Sequence, residues 1–137
     1  MKIILGLLAV PILVFSFPVF AKSPDCTSVE AWPASMAYVE LKNAGIIESD
    51  TLDLDKTKVL RLLSEKKGRV PYGGPNGKEI SINLYYQVHR VTFVKKSGET
   101  ITVITVHDAS HMECSMSGVD VYIDSKYLTD PPEKKPK

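Results

Sequence analysis

An excess of either charge is missing from this sequence: 17 lysines and arginines face 16 aspartates and glutamates over 137 residues, a formal balance of +1. That excludes the basic footprint by which nucleic-acid-binding domains and polybasic membrane anchors hold their partners. Cysteine is scarce too. The two present, Cys26 and Cys114, make no CxxC spacing, so thiolate metal knuckles and dithiol redox motifs are lacking. There is no Gly-x-Ser-x-Gly elbow, no glycine loop completed by the lysine and serine of a phosphate site, and no internal repeat. No cofactor, no metal and no enzymatic activity are therefore expected.

What is present begins with Met1 to Ala21. Lys2 precedes an apolar run from Ile3 to Phe20, which closes on Val19-Phe20-Ala21. This is the three-part pattern of a secretory signal, with cleavage expected after Ala21. Pro11 and Pro18 interrupt the run and no basic stop-transfer cluster follows, so a stable membrane anchor is not expected. Ser23-Pro24-Asp25 before Cys26 does not make a lipobox. Removing 21 of 137 residues takes away one lysine and leaves 116 residues of zero formal charge, enough for one domain with a modest core. That domain is expected over 22–128, in the periplasm, with a disordered tail of prolines and charges over 129–137.

Cys26 and Cys114 form an even pair in a chain bound for an oxidising compartment, and they are expected to pair. A loop of that length is worth roughly 4–5 kcal/mol in the chain-entropy account, and about 2–4 in most measurements.

Pro33 sits where a first helical turn tolerates it and Gly45 suits a position just past a helix end, which predicts a helix over Pro33 to Ala44. Trp32, Met36 and Val39 fall at helical spacing and are expected in the core. Leu84 to Lys96, Thr100 to His107 and Val119 to Lys126 alternate as strands, the first two separated by Ser97-Gly98-Glu99. Asp55 to Gly68 fits a helix by local chemistry, with Asp55 as cap and Gly68 at its end. It fits a strand by count, because three strands cover one helix poorly. We expect a strand over Asp55 to Lys66, with Leu60 and Leu62 joining Met36, Val91 and Phe93 in the core. Arg69 to Lys78 holds four turn signals and, with Glu79 to Asn83, is expected to form a long exposed loop.

The polar run His107-Asp108-Ala109-Ser110-His111 carries the letters of a metal pair and of a hydrolase triad. On an extended strand, however, His107 and His111 stand roughly 13 Å apart, and no elbow presents Ser110. The glycine-rich stretch leaves Tyr72, Gly73, Gly74 and Asn76 as candidate partner contacts, joined by His107 and His111 beside Cys114. Tyrosine on a rigid loop is a common binding anchor. His89 and Arg90 read as a cross-strand pair with a residue such as Glu65.

The order helix, then four antiparallel strands in a meander, gives an α+β domain that resembles the cystatin-like fold. A signal peptide, one disulfide, a protruding loop and no catalytic constellation resemble small periplasmic immunity proteins that neutralise toxins delivered by type VI secretion. The resemblance implies an inhibitor that occludes the active site of a protein toxin or envelope enzyme encoded nearby. An envelope protein holding a small ligand or glycan between helix and sheet is the alternative.

Overall fold

The computed structural model describes residues 22–124. The expected signal peptide over 1–21 and the tail over 129–137 lie outside the described residues. Within them the chain forms one helix and one four-stranded antiparallel sheet: α1 (Trp32–Asn43), β1 (Lys58–Gly73), β2 (Glu79–Val94), β3 (Thr100–Ala109) and β4 (Asp120–Ile123), in spatial order β1-β2-β3-β4. The α+β meander expected from the strand count is present.

Helix α1 starts at Trp32 with Pro33 in its first turn, and ends where Gly45 takes φ +69°. The Gly45 amide donates to the Lys42 carbonyl and the Ile46 amide to the Leu41 carbonyl, each over 3.0 Å, closing the paired C-terminal motif that glycine permits. The buried helix face is Pro33, Ala34, Ala37 and Leu41. This corrects the expected stripe: Trp32 and Val39 are exposed and Met36 is half-buried. Small alanines let the helix approach Val91, Phe93 and Val103, with which they share one apolar cluster closed by Ile47 and Leu52.

The segment 55–68 is largely strand, but its bounds shift. Asp55 belongs to a short 3-10 turn, Leu54–Lys56, and β1 runs on to Gly73. The long loop expected over 69–83 is not a loop, because Arg69 pairs with Asn83, Val70 with Ile82 and Tyr72 with Ile80. Two irregularities interrupt β1, between Arg61 and Leu63 and between Lys66 and Gly68. Each inserts one residue and shifts which side chains face inward. Leu60 and Leu62 are consequently 56% and 44% exposed, not core, while Arg61 turns inward opposite His89. The last strand covers Asp120–Ile123 of the expected Val119 to Lys126, of which 125–126, like the rest of the expected domain to 128, lie outside the described residues.

The chain before α1 crosses the inner face of the sheet as a strap. The disulfide Cys26–Cys114, which joins residues 88 apart, fixes it there. The Pro24 carbonyl accepts hydrogen bonds from Arg61 Nη1 at 2.7 Å and from Gln87 Nε2 at 2.8 Å. Helix and strap divide the inner face between them. The helix covers its apolar half and the strap its polar half.

Candidate functional site: the β-arm and the outer sheet face

Strand β3 ends at Ala109, which pairs with Tyr85, and Tyr85 in turn pairs with Lys66. Beyond that row β1 and β2 continue as a two-stranded arm, roughly 25 Å long at the ordinary rise per residue. Its tip is built from Gly74, Pro75, Asn76 and Gly77. Pro75 sets the entry, and Asn76 (φ 61°) and Gly77 (φ 71°) take left-handed conformations that asparagine and glycine tolerate. The Gly74 amide closes the turn on the Lys78 carbonyl at 2.8 Å. A Cβ on Gly74 would lie 2.6 Å from the Lys78 carbonyl oxygen and 2.9 Å from Ile80 Cγ2. Gly74→Ala is therefore expected to cost about 1 kcal/mol and to open the tip. Amide exchange should accelerate at Tyr72 and Ile80 while β3 stays protected.

Along the arm, Val70, Tyr72, Ile80, Ile82 and Leu84 alternate with Arg69, Pro71, Ser81 and Asn83. By register the apolar set continues onto the outer face of the sheet, where Leu60 pairs with Arg90 and Leu63 with Val88. Val88 adjoins Val106, and Ile104 adjoins Tyr122. Leu60, Leu62, Leu63, Ile80 and Tyr122 are each exposed by more than a third. Among the described residues no helix crosses this face; α1 lies on the other. These exposed apolar side chains lie in two groups, separated by the row Glu65, Tyr86 and Asp108, with Lys67 bound to Asp108. Arg90 stands beside Leu60. Exposed apolar groups of this kind are candidate contacts. The free edge of β1 is a different matter. Its two bulges, its lysines and Pro71 blunt it against strand pairing, which leaves the face as the surface on offer.

Charge is also unevenly placed. The arm and its base carry Lys66, Lys67, Arg69 and Lys78 against Glu65 and Glu79, whereas the approach to β1 carries Glu48, Asp50, Asp53 and Asp55, with Lys56 paired to Asp53. Lys67 Nζ meets Asp108 Oδ2 at 2.7 Å and ties the base of the arm to β3.

Of the expected partner contacts, Tyr72, Gly73, Gly74 and Asn76 lie together at the tip, with Tyr72 half-buried against the arm rather than free on a loop. His111 is exposed beside the base of the arm, its ring edge-on to Tyr85 at 5.6 Å. His107 is elsewhere. It is 3% exposed on the inner face, so its ring has no surface to offer a protein partner. Its neighbour is His89, fully buried, with ring centroids 5.2 Å apart and planes 29° from parallel. His89 faces Arg61 across the strands, not Glu65, which pairs with Tyr86.

Around the two rings Gln87 and Thr105 are also fully buried. Among the described residues, Gln87 Oε1, Thr105 Oγ1 and all four imidazole nitrogens have no hydrogen-bond partner. Burial, followed by the charges of His107 and Arg61, pushes His89 down to about 4, against a weaker opposing pull from Asp25. Burial also lowers His107, opposed by Asp108. The pair is neutral at neutral pH. Sequence pattern missed it because His89 lies in an alternation with Tyr85, Gln87, Val91 and Phe93 that reads equally well from either face.

The triad letters are not assembled. Asp108 is engaged by Lys67, and Ser110 Oγ accepts the Met112 and Glu113 amides at 3.1 and 3.2 Å, shaping the turn that carries Cys114. No group of three or more potential metal ligands occurs among the described residues. The concavity between helix and sheet is filled by the core cluster. An open cleft of about 370 Å³ lies at its rim, between the end of α1 and β4. No family model, curated protein or solved structure matches the chain.

Proposed function

We propose that the chain is an exported inhibitor of the immunity type. In this reading residues 1–21 are a signal peptide cleaved after Ala21, the mature domain works in the periplasm, and its helix cradled by a meander is a cystatin-like arrangement. It occludes the active-site cleft of a secreted toxin or cell-wall-acting enzyme, of the kind delivered by type VI secretion. The observation that carries the reading is the set of apolar side chains on the outer face, Leu60, Leu63 and Val88 on the sheet and Tyr72 and Ile80 on the arm, over which no helix lies among the described residues.

A stiff, narrow arm of roughly 25 Å has the dimensions to enter a cleft, and its basic residues suit an acidic one. Aromatic and aliphatic side chains ordered in advance on a sheet lose little conformational freedom on binding. The polar interior and the disulfide hold the platform, and the outer face makes the contact.

The test is calorimetric titration of the mature domain against the enzyme encoded beside it, with Tyr72→Ala in parallel. Tyr72 lies near the tip, away from the core, in a cross-strand pair with Ile80, so the variant should lose no more than about 1 kcal/mol of stability. Its binding should weaken by about 2 kcal/mol or more, some thirtyfold. Equal affinity of the two proteins would remove the arm from the contact surface.

A further inference from the structure

We propose that the cleft at the inner base of the arm is a receptor for a carboxylate side chain of the bound partner, a specific anchor within the reading just given and dependent on it. The cleft, about 380 Å³ and open to solvent, gathers two cations from β1, Lys66 and Arg69, and the His111 imidazole from the turn after β3. Asn83 and Ser81 of β2 add neutral polar groups. Among the described residues no carboxylate lines it.

Two aspects of the surroundings set the chemistry. The acidic side chain on β3, Asp108, is held by Lys67 on the neighbouring surface and not by the cations of the cleft. Arg69 is already oriented, because its Nη2 donates to the Ser81 carbonyl at 2.9 Å. A guanidinium fixed at one corner presents its remaining donors as a planar fork, which matches a carboxylate in two parallel hydrogen bonds. His111 is fixed in turn by its edge contact with Tyr85. Met112, 55% exposed, supplies a flexible apolar wall against which the methylenes of a glutamate can pack. The combination is selective for an acidic side chain on a peptide rather than for a bare inorganic anion, which has no use for the apolar wall.

The cleft also lies on the opposite side of the arm from Tyr72 and Ile80. A partner that receives the arm in a groove would therefore touch both sides of it, apolar on one and acidic on the other.

The experiment uses the mature, disulfide-bonded domain and three free probes: acetyl-Gly-Glu-Gly-amide, its glutamine counterpart, and inorganic phosphate. Backbone amide shifts of Lys66, Arg69 and His111 report binding. The glutamate peptide should bind in the millimolar range and the glutamine peptide at least tenfold more weakly. Arg69→Gln and Lys66→Gln should each lose about tenfold for the glutamate peptide, with Arg69→Lys between wild type and Arg69→Gln. Because Arg69 also meets Ser81, the amide spectra of the arm in each variant establish that it has stayed folded. Lys66→Gln and His111→Gln serve where Arg69→Gln disturbs it.

Phosphate binding as tight as the glutamate peptide would overturn carboxylate recognition and make the cleft a general anion site. Unshifted amides at all three positions would overturn the site altogether. Either result leaves the Tyr72→Ala titration to decide the inhibitor reading, since that variant alters only the opposite side of the arm.

Discussion

Replacing both cysteines, Cys26→Ser with Cys114→Ser, is expected to destabilise the domain by about 2–4 kcal/mol, or about 10 °C or more in Tm. The bond joins residues 88 apart, so its loss frees a long loop in the unfolded chain. The native state loses something as well. The strap that the bond holds in place brings the Pro24 carbonyl to Arg61 and Gln87, and both of those side chains lie on the inner face. Without the strap, the guanidinium loses its acceptor, Gln87 Nε2 keeps only the Ser64 hydroxyl at 3.0 Å, and the histidine pair loses its cover. Urea unfolding of the double variant beside wild type measures the effect. The variant should also expose His89 and His107 to solvent exchange before it unfolds globally. Unchanged unfolding midpoints would contradict the strap's role.

Acidification should act on the same half of the core. His89 titrates near 4 in the folded protein and near its ordinary value of 6.5 in the unfolded chain. Between those values the unfolded state binds more protons, so stability is complete above about pH 6.5 and falls as pH drops toward 4. The shift corresponds to about 3 kcal/mol for His89, and the lowered His107 adds to it in the same direction. Arg61 and His107 oppose protonation of His89 and Asp25 favours it; Asp108 favours protonation of His107. His89→Leu removes the proton site and a polar group with no hydrogen-bond partner among the described residues, so it should cost little at pH 7 and flatten the loss between pH 6.5 and 4. Chemical unfolding at a series of pH values checks this. An acid loss as steep in His89→Leu as in wild type would mean that another group carries it.

Both effects arise in the part of the molecule that was least legible in the sequence. Strands β2 and β3 were legible, because Tyr85 to Phe93 and Ile101 to Val106 alternate over long runs and Ser97-Gly98 marks their turn. The helix was legible from Pro33 and Gly45. Strand β1 was recognisable only by counting strands, and its inward residues were misassigned for a physical reason. A single inserted residue at Leu62 reverses the alternation, so Leu60 and Leu63 share the outer face while Arg61 points in. The arm was hidden because glycines and prolines at 68, 71, 73, 74, 75 and 77 signal turns, whereas four of the six positions lie in or beside paired strands. Its outer apolar row, Val70, Tyr72, Ile80 and Ile82, emerges only when the two strands are set in register. The disulfide was legible from the pairing of two cysteines, but what it clamps was not.

In the proposed function the outer face and the arm, not the helix side, meet the partner. Amide hydrogen exchange of the complex with the adjacent gene's product, compared with the free domain, tests it most directly. Protection should appear at Leu60 to Leu63, at Val70 to Tyr72, at Ile80 to Val88 and at Ile104, while α1 and β4's cleft with it exchange as in the free protein. Protection confined to Glu40 to Ile46 and Val119 to Ile123, with the arm unchanged, would contradict the account and place the contact in the helix-side cleft.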